Sequence, residues 1–163
     1  MFFTMASVMM PVMPDISLEH TYAALFVVSF LAATLLPLGS EWLLVALLLD
    51  GKTPAVVIMI ATIGNTLGGA TNYLIGRWGG PWLIRRLLGI DPGQQLRAER
   101  WFQRYGSLSL LLSWLPVVGD PLCLVAGTLR TSILRFFVLV TTGKAFRYLT
   151  LALLTLGGAE FLA

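Results

Sequence analysis

Four ionisable residues fall inside runs that are otherwise apolar: Glu41, Asp120, Lys144 and Arg147. Glu41 closes the stretch "LPLGSE", Asp120 sits in "LPVVGDP", and Lys144 and Arg147 lie three apart between Ile133 and Leu156, on one face of a helix. A charge facing hydrocarbon costs about 2.5 to 3.5 kcal/mol on insertion scales, so these side chains are expected to point inward, the two cations meeting the two acids. Such a cluster can hold an anionic headgroup, and a carboxylate within it can load and release a proton. Two intramembrane acids would also suit an aspartyl protease dyad sharing a proton. Here one acid is a glutamate, no clear glycine motif precedes "GD", and two cations are out of place beside such a dyad. His20 precedes the first apolar run, which leaves no base for a serine hydrolase. A single Cys123 and a single His20 supply no metal or haem ligand set. No enzyme, cofactor or metal is expected.

The elements that must position these residues are membrane helices. Of 163 residues, 57% are hydrophobic and 12% charged, with a mean hydropathy of +0.84, far from the balance of a soluble domain. The length suits one membrane domain over 1–163. Four apolar blocks stand out, Tyr22 to Leu49, Ala55 to Gly76, Ser107 to Leu129 and Ser132 to Ala163. A span needs about 20 apolar residues, which the second and fourth blocks supply without interruption. The first and third are broken near their middles, with Pro37 and Gly39 in one and Pro116, Gly119 and Pro121 in the other. Proline removes a backbone donor and glycine permits a sharp turn. Freed backbone groups are tolerated at membrane depth only inside protein or beside a water-filled cavity. Re-entrant hairpins are therefore expected, with each acid at a hairpin tip, where it can also cap the half-helix that restarts there.

Advancing the chain 79 positions places Leu36, Pro37 and Glu41 on Leu115, Pro116 and Asp120, and then Thr62, Gly64 and Asn65 on Thr141, Gly143 and Lys144. Prolines, acids and glycines holding one register mark a repeat. The reading is an all-α polytopic protein of two opposed repeats, about 22–76 and 107–160, each a re-entrant hairpin followed by a spanning helix. Paired interrupted segments of this kind point to a midplane site in transporters. Between the repeats, Arg77 to Arg104 holds six arginines against Asp91 and Glu99, so the loop 77–106 is expected on the cytoplasmic side. Topology accounts for that basic cluster, and no nucleic-acid partner is expected.

In "GNTLGGATNYLIGRW", Gly64, Gly68, Asn72 and Gly76 form a stripe of small or polar residues at every fourth position. Such a stripe lets another backbone approach, within the chain or in a homo-oligomer. Asn65 and Asn72 are candidates for touching a substrate as well. The segment "GQQLRAERWFQRYG" mixes arginines with aromatics and suits a helix lying on an anionic leaflet.

The ordered set "LPLGSEWLLVALLLDG", "GNTLGGATNYLIGRW", "RYGSLSLLLSWLPVVGDPLCLVAGTLR" and "GKAFRYL" resembles the DedA family of SNARE-associated or VTT membrane proteins, most closely its YqaA-type branch. The similarity covers about Leu31 to Leu149. It implies a bacterial inner-membrane protein with two opposed re-entrant hairpins that moves lipids, such as polyprenyl phosphate or phospholipid, with protons as a coupling partner. Glu41 matches the acid of the family's proline-glycine-acid hairpin. The arginines that typical members carry three residues either side of the second hairpin's proline are here Ser113 and Gly119, and Lys144 and Arg147 are expected to supply the positive charge from the neighbouring helix instead. The alternatives are a structural or assembly protein without transport, a small-solute transporter and the intramembrane protease.

Overall fold

The two uninterrupted apolar blocks form long helices, α3 (Pro54–Trp78) and α6 (Ile133–Leu162), each long and apolar enough to cross a membrane. Pro54 opens α3, where its fixed φ suits the first turn and its missing N–H leaves no helical acceptor idle. The computed structural model describes residues 18–34, 39–79, 92–115 and 118–162, with every regular element among them helical. The interrupted blocks are divided where expected. The first becomes α1 (Leu18–Ala32) and α2 (Glu41–Leu49), and the third a 3-10 segment (Gly106–Leu112) and α5 (Gly119–Thr128). Helix α4 (Pro92–Tyr105) runs directly into that 3-10 segment. At 1.5 Å per residue α2 and α5 reach only about 15 Å, half of a membrane core. Pro37 and Pro116 lie outside the described residues, as does part of the loop 77–106.

Hydrogen bonds keep the same 79-residue register as the residue types. At the end of α2, the N–H groups of Asp50, Gly51 and Lys52 donate to the carbonyls of Ala46, Leu48 and Leu47. At the end of α5, those of Leu129, Arg130 and Thr131 donate to Val125, Gly127 and Ala126, every donor and acceptor displaced by the same step. Gly51 and Arg130 both take positive φ, +76° and 51°. This is the left-handed residue that ends a helix, a position that favours glycine. Each turn then leads into a spanning helix through matching bonds, Val57 N–H to Thr53 and Phe136 N–H to Ser132.

Helix α3 lies at the centre, packed most extensively on α5 and α1 and then on α6. A side chain on Gly64 or Gly68 would strike the Phe26 and Phe30 carbonyls of α1, whereas one on Gly76 would strike the Leu124 carbonyl of α5. The stripe expected to favour close approach does so within the chain, where α1 and α5 cover it; a homo-oligomer would have to use another surface. The apolar core is in two parts. One joins Tyr73, Leu110, Leu122, Val125, Phe136 and Val140. The other joins Leu25, Leu44, Leu48, Val57, Tyr148 and Ala152. Met59, Ile63, Phe146 and Leu153 face outward, as expected of helices with hydrocarbon for a solvent.

Candidate functional site

Between the two apolar clusters lies a polar layer. Asn65 and Lys144 each stand eleven residues into their long helix, about 17 Å along it and so near the middle of a span. Lys144 is only 2% exposed, and its Nζ donates to the Asn65 carbonyl at 2.6 Å. The Asn65 side chain points the other way and donates from Nδ2 to the Tyr148 hydroxyl at 3.0 Å. That hydroxyl also shares a hydrogen bond of 2.7 Å with Ser40 Oγ, at the start of α2. One asparagine thus ties α3 to α6 twice and, through Tyr148, to α2.

Arg147 joins the interrupted segments. Its Nη2 is ion-paired with Glu41 Oε1, and its Nη1 donates at 3.1 Å to the Trp114 carbonyl, just beyond the 3-10 segment. The two side chains of the ion pair remain 23% and 26% exposed, so an opening reaches them. Asp120 takes no part in this ion pair. It is an electrostatic neighbour of Lys144, yet it is not among the ion pairs of the described residues. Gly69 is the point where Lys144 and Cys123 come together, since a side chain there would meet Nζ and Sγ, each at 3.2 Å.

The four charges expected in a single cluster are therefore divided. Glu41 and Arg147 form a direct contact, whereas Asp120 and Lys144 sense each other at longer range, and the lysine donates to the Asn65 carbonyl. Capping, the structural role anticipated for both acids, takes another form. Position Val118 precedes α5 and Ser40 precedes α2, and neither side chain caps its helix. Glu41 and Asp120 stand inside the first turns, where their charge still complements the helix dipole. Gly119, expected to break a helix, is the first residue of α5, placed so that a side chain would strike the Ser113 carbonyl. Pro121 lies two residues further into the same turn.

Asn72 is not part of this layer. It is fully buried, and its Nδ2 donates at 2.8 Å to the Ala33 carbonyl just past the end of α1. The amide nitrogen satisfies an orphan helix-terminal acceptor, while Oδ1 is buried with no hydrogen-bond partner among the described residues. Among the described residues no group of three potential ligands could hold a metal ion.

The VTT domain family matches residues 21–156, almost the whole described chain and all of this site. The chain belongs to this family of membrane proteins, the DedA family. Inner membrane protein YqaA of Escherichia coli is 46% identical over 136 residues, spanning 83% of this chain and 91% of that protein. An uncharacterized protein of Haemophilus influenzae is 41% identical over 141 residues, 80% of this chain and 85% of its own. A more distant match, undecaprenyl phosphate transporter A of Bacillus subtilis, is 35% identical over 86 residues, covering half of this chain and 43% of its own length. No solved structure matches the chain.

Ser40 and Tyr148 are the participants that sequence reasoning passed over. A tyrosine in an apolar helix reads as an interfacial aromatic. The 79-residue register held the missing signal, because it pairs Tyr148 with Gly69 and Ser40 with Gly119. Hydroxyl-bearing residues in one half thus correspond in register to glycines in the other.

Proposed function

We propose that this protein is a lipid translocase of the bacterial inner membrane, moving a polyprenyl phosphate or phospholipid whose headgroup crosses at the polar layer while its tails stay in hydrocarbon. The observation that carries this reading is Arg147, a cation at mid-helix depth that contacts both interrupted segments and remains partly open. A guanidinium presents a fork of donors matched to phosphate oxygens. Exchanging Glu41 for a phosphate would free the first hairpin tip from that side chain.

The segments α1–α2 and the 3-10 segment–α5 act as re-entrant hairpins of two inverted repeats, 22–76 and 107–160, with the loop 77–106 cytoplasmic. The register of helix-end hydrogen bonds supports the repeat, and the short reach of α2 and α5 supports the hairpins. In this mechanism the hairpins rock against α3 and α6. Arg147 and Lys144 hold the headgroup, Asn65 and Tyr148 keep α2, α3 and α6 in register, and Asp120 is the acid free to exchange a proton. The similarity to the undecaprenyl phosphate transporter of Bacillus subtilis adds support for a lipid substrate.

The test is movement of labelled polyprenyl phosphate and phospholipids in proteoliposomes containing the purified protein. The parent should move one of them, and Glu41→Gln, Asp120→Asn and the pair Lys144→Ala with Arg147→Ala should each lose at least tenfold while eluting as folded protein. Transport untouched in the double cation variant would remove the headgroup role, and transport indifferent to a pH gradient would remove the coupling. No movement of any lipid would favour a small-solute transporter or a structural membrane protein.

A further inference from the structure

Away from the polar layer, α4 and the 3-10 segment enclose an open cleft of about 760 Å³. Arg97, Arg100 and Arg104 follow the helical spacing i, i+3, i+7, so they share one side of α4. All three line the cleft. The opposite side of α4 is anchored, with Ala98 fully buried and Phe102 packed against the core, and Trp101, which also packs on the core, lines the cleft beside the arginines. The 3-10 wall contributes Leu108, Leu111 and Leu112. Arginine-bearing and leucine-bearing walls therefore meet in one recess, beside a helix whose far side is packed into the core.

Among the described residues no carboxylate lines the cleft. Among the described residues the ion pairs are Lys52 with Asp50 and Arg147 with Glu41, which leaves the three guanidiniums without an acid. Arg100 Nε donates to its own helix at Leu96, and the Arg104 guanidinium lies 5.4 Å from the Tyr105 ring centre. Neither arrangement neutralises charge. The acid on this helix, Glu99, faces Gln95, whose Nε2 donates to it at 3.0 Å.

We propose that this cleft is a docking site for an anionic phospholipid, its phosphate held by Arg97, Arg100 and Arg104 and the start of its acyl chains lying along Leu108, Leu111 and Leu112. Three clustered arginines call for an anion with several acceptor oxygens, and guanidinium forks suit phosphate. The leucine wall calls for a ligand that is apolar at its other end, which a free anion is not. Basic recesses at the membrane surface are a recurrent form of anionic headgroup site. The site does not depend on the translocase reading, since none of its residues belongs to the polar layer. It is nonetheless adjacent in the chain. Leu112 lines the cleft, and two residues later the Trp114 carbonyl accepts from Arg147.

The experiment is native mass spectrometry of the purified protein in detergent with equimolar dioleoyl phosphatidylglycerol and dioleoyl phosphatidylcholine. The parent should retain the anionic lipid about tenfold over the zwitterionic one. The triple variant Arg97→Gln, Arg100→Gln, Arg104→Gln should retain both equally. The side chains changed are exposed, so the variant is expected to fold, as an unchanged elution volume and helical circular dichroism would verify. The corresponding triple lysine variant keeps the charge and should keep most of the preference, separating electrostatic loss from damage to α4. Millimolar inorganic phosphate should not displace the lipid. Equal retention by the parent, an undiminished preference in the glutamine variant, or displacement by phosphate would each overturn the proposal.

Discussion

Lys144 and Asn65 stand 79 residues apart and are joined directly, the lysine Nζ donating to the asparagine carbonyl at 2.6 Å. The same separation relates the ends of α2 and α5 and the starts of α3 and α6. Residues equivalent in register therefore meet where the two long helices lie side by side. What differs is their chemistry, an asparagine on α3 and a lysine on α6: the ammonium takes the backbone carbonyl of Asn65, whose side-chain amide is turned to another partner. The junction is accordingly polar and fully asymmetric in its donors. Its asparagine also holds the Tyr148 hydroxyl.

That hydroxyl is the first target. Tyr148→Phe keeps the ring in the core and removes only its bonds to Ser40 and Asn65. Interhelical hydrogen bonds in membrane proteins average about 0.6 kcal/mol, so the variant should lose roughly 0.6 to 1.5 kcal/mol. Denaturant titration in detergent would measure it. Ser40→Ala in the Tyr148→Phe background should then cost little more than a few tenths, because the partner is already gone.

Close approach of α3 and α5 yields a second prediction with an internal control. A side chain at Gly76 would collide with the Leu124 carbonyl, whereas one at Gly157 meets nothing within 4 Å. Gly76→Ala should cost about 1 to 3 kcal/mol by overpacking, and backbone cannot yield as a flexible side chain would. Gly157→Ala, within α6, should instead be neutral or stabilising by up to about 1 kcal/mol. If the two substitutions behaved alike in parallel unfolding titrations, the contact between α3 and α5 would not be as described.

Much of this architecture is legible in the residues because its causes are local. Gly39, Gly119 and Pro121 interrupt or restart helices through their own backbone chemistry, and the 79-residue register shows through the residue types that such breaks require. Inward placement of Lys144 follows from the cost of a charge in hydrocarbon. Partner choice does not follow from it. Glu41 takes Arg147, while Lys144 turns to a backbone carbonyl and leaves Asp120 without a direct ion pair. That outcome depends on how far α3 approaches α6, which no local pattern encodes. Asn72 makes the same point, since its partner Ala33 lies 39 positions away at the end of another helix.

Arg130 tests the helix-end register. It holds the left-handed position that Gly51 occupies in the matching turn, with φ of 51° against 76°. For a residue with a side chain this conformation costs about 1 kcal/mol, and glycine is relieved of it. Arg130→Gly should therefore stabilise the protein by roughly 0.5 to 1 kcal/mol, and Gly51→Ala should destabilise it by a similar amount. Opposite signs in the same unfolding assay would establish that both helices end in the same way.

The ion pair between Arg147 and Glu41 offers the most direct test of how the interrupted segments are joined. Truncating either partner leaves the other charge in a site that is only about a quarter open. Removing one member of a well-buried pair costs about 3 to 5 kcal/mol, and the partial exposure here brings the expected loss for Glu41→Gln or Arg147→Met to roughly 1 to 3 kcal/mol. The double variant should recover a large part of that loss, giving a coupling energy on the order of 1 kcal/mol or more in a double-mutant cycle. Arg147→Met should be the costlier single change, since it also orphans the Trp114 carbonyl. Additive losses would mean that the two residues do not meet, and the hydrogen-bonded tie between α2 and α6 would then run through Ser40 and Tyr148 alone among the described residues.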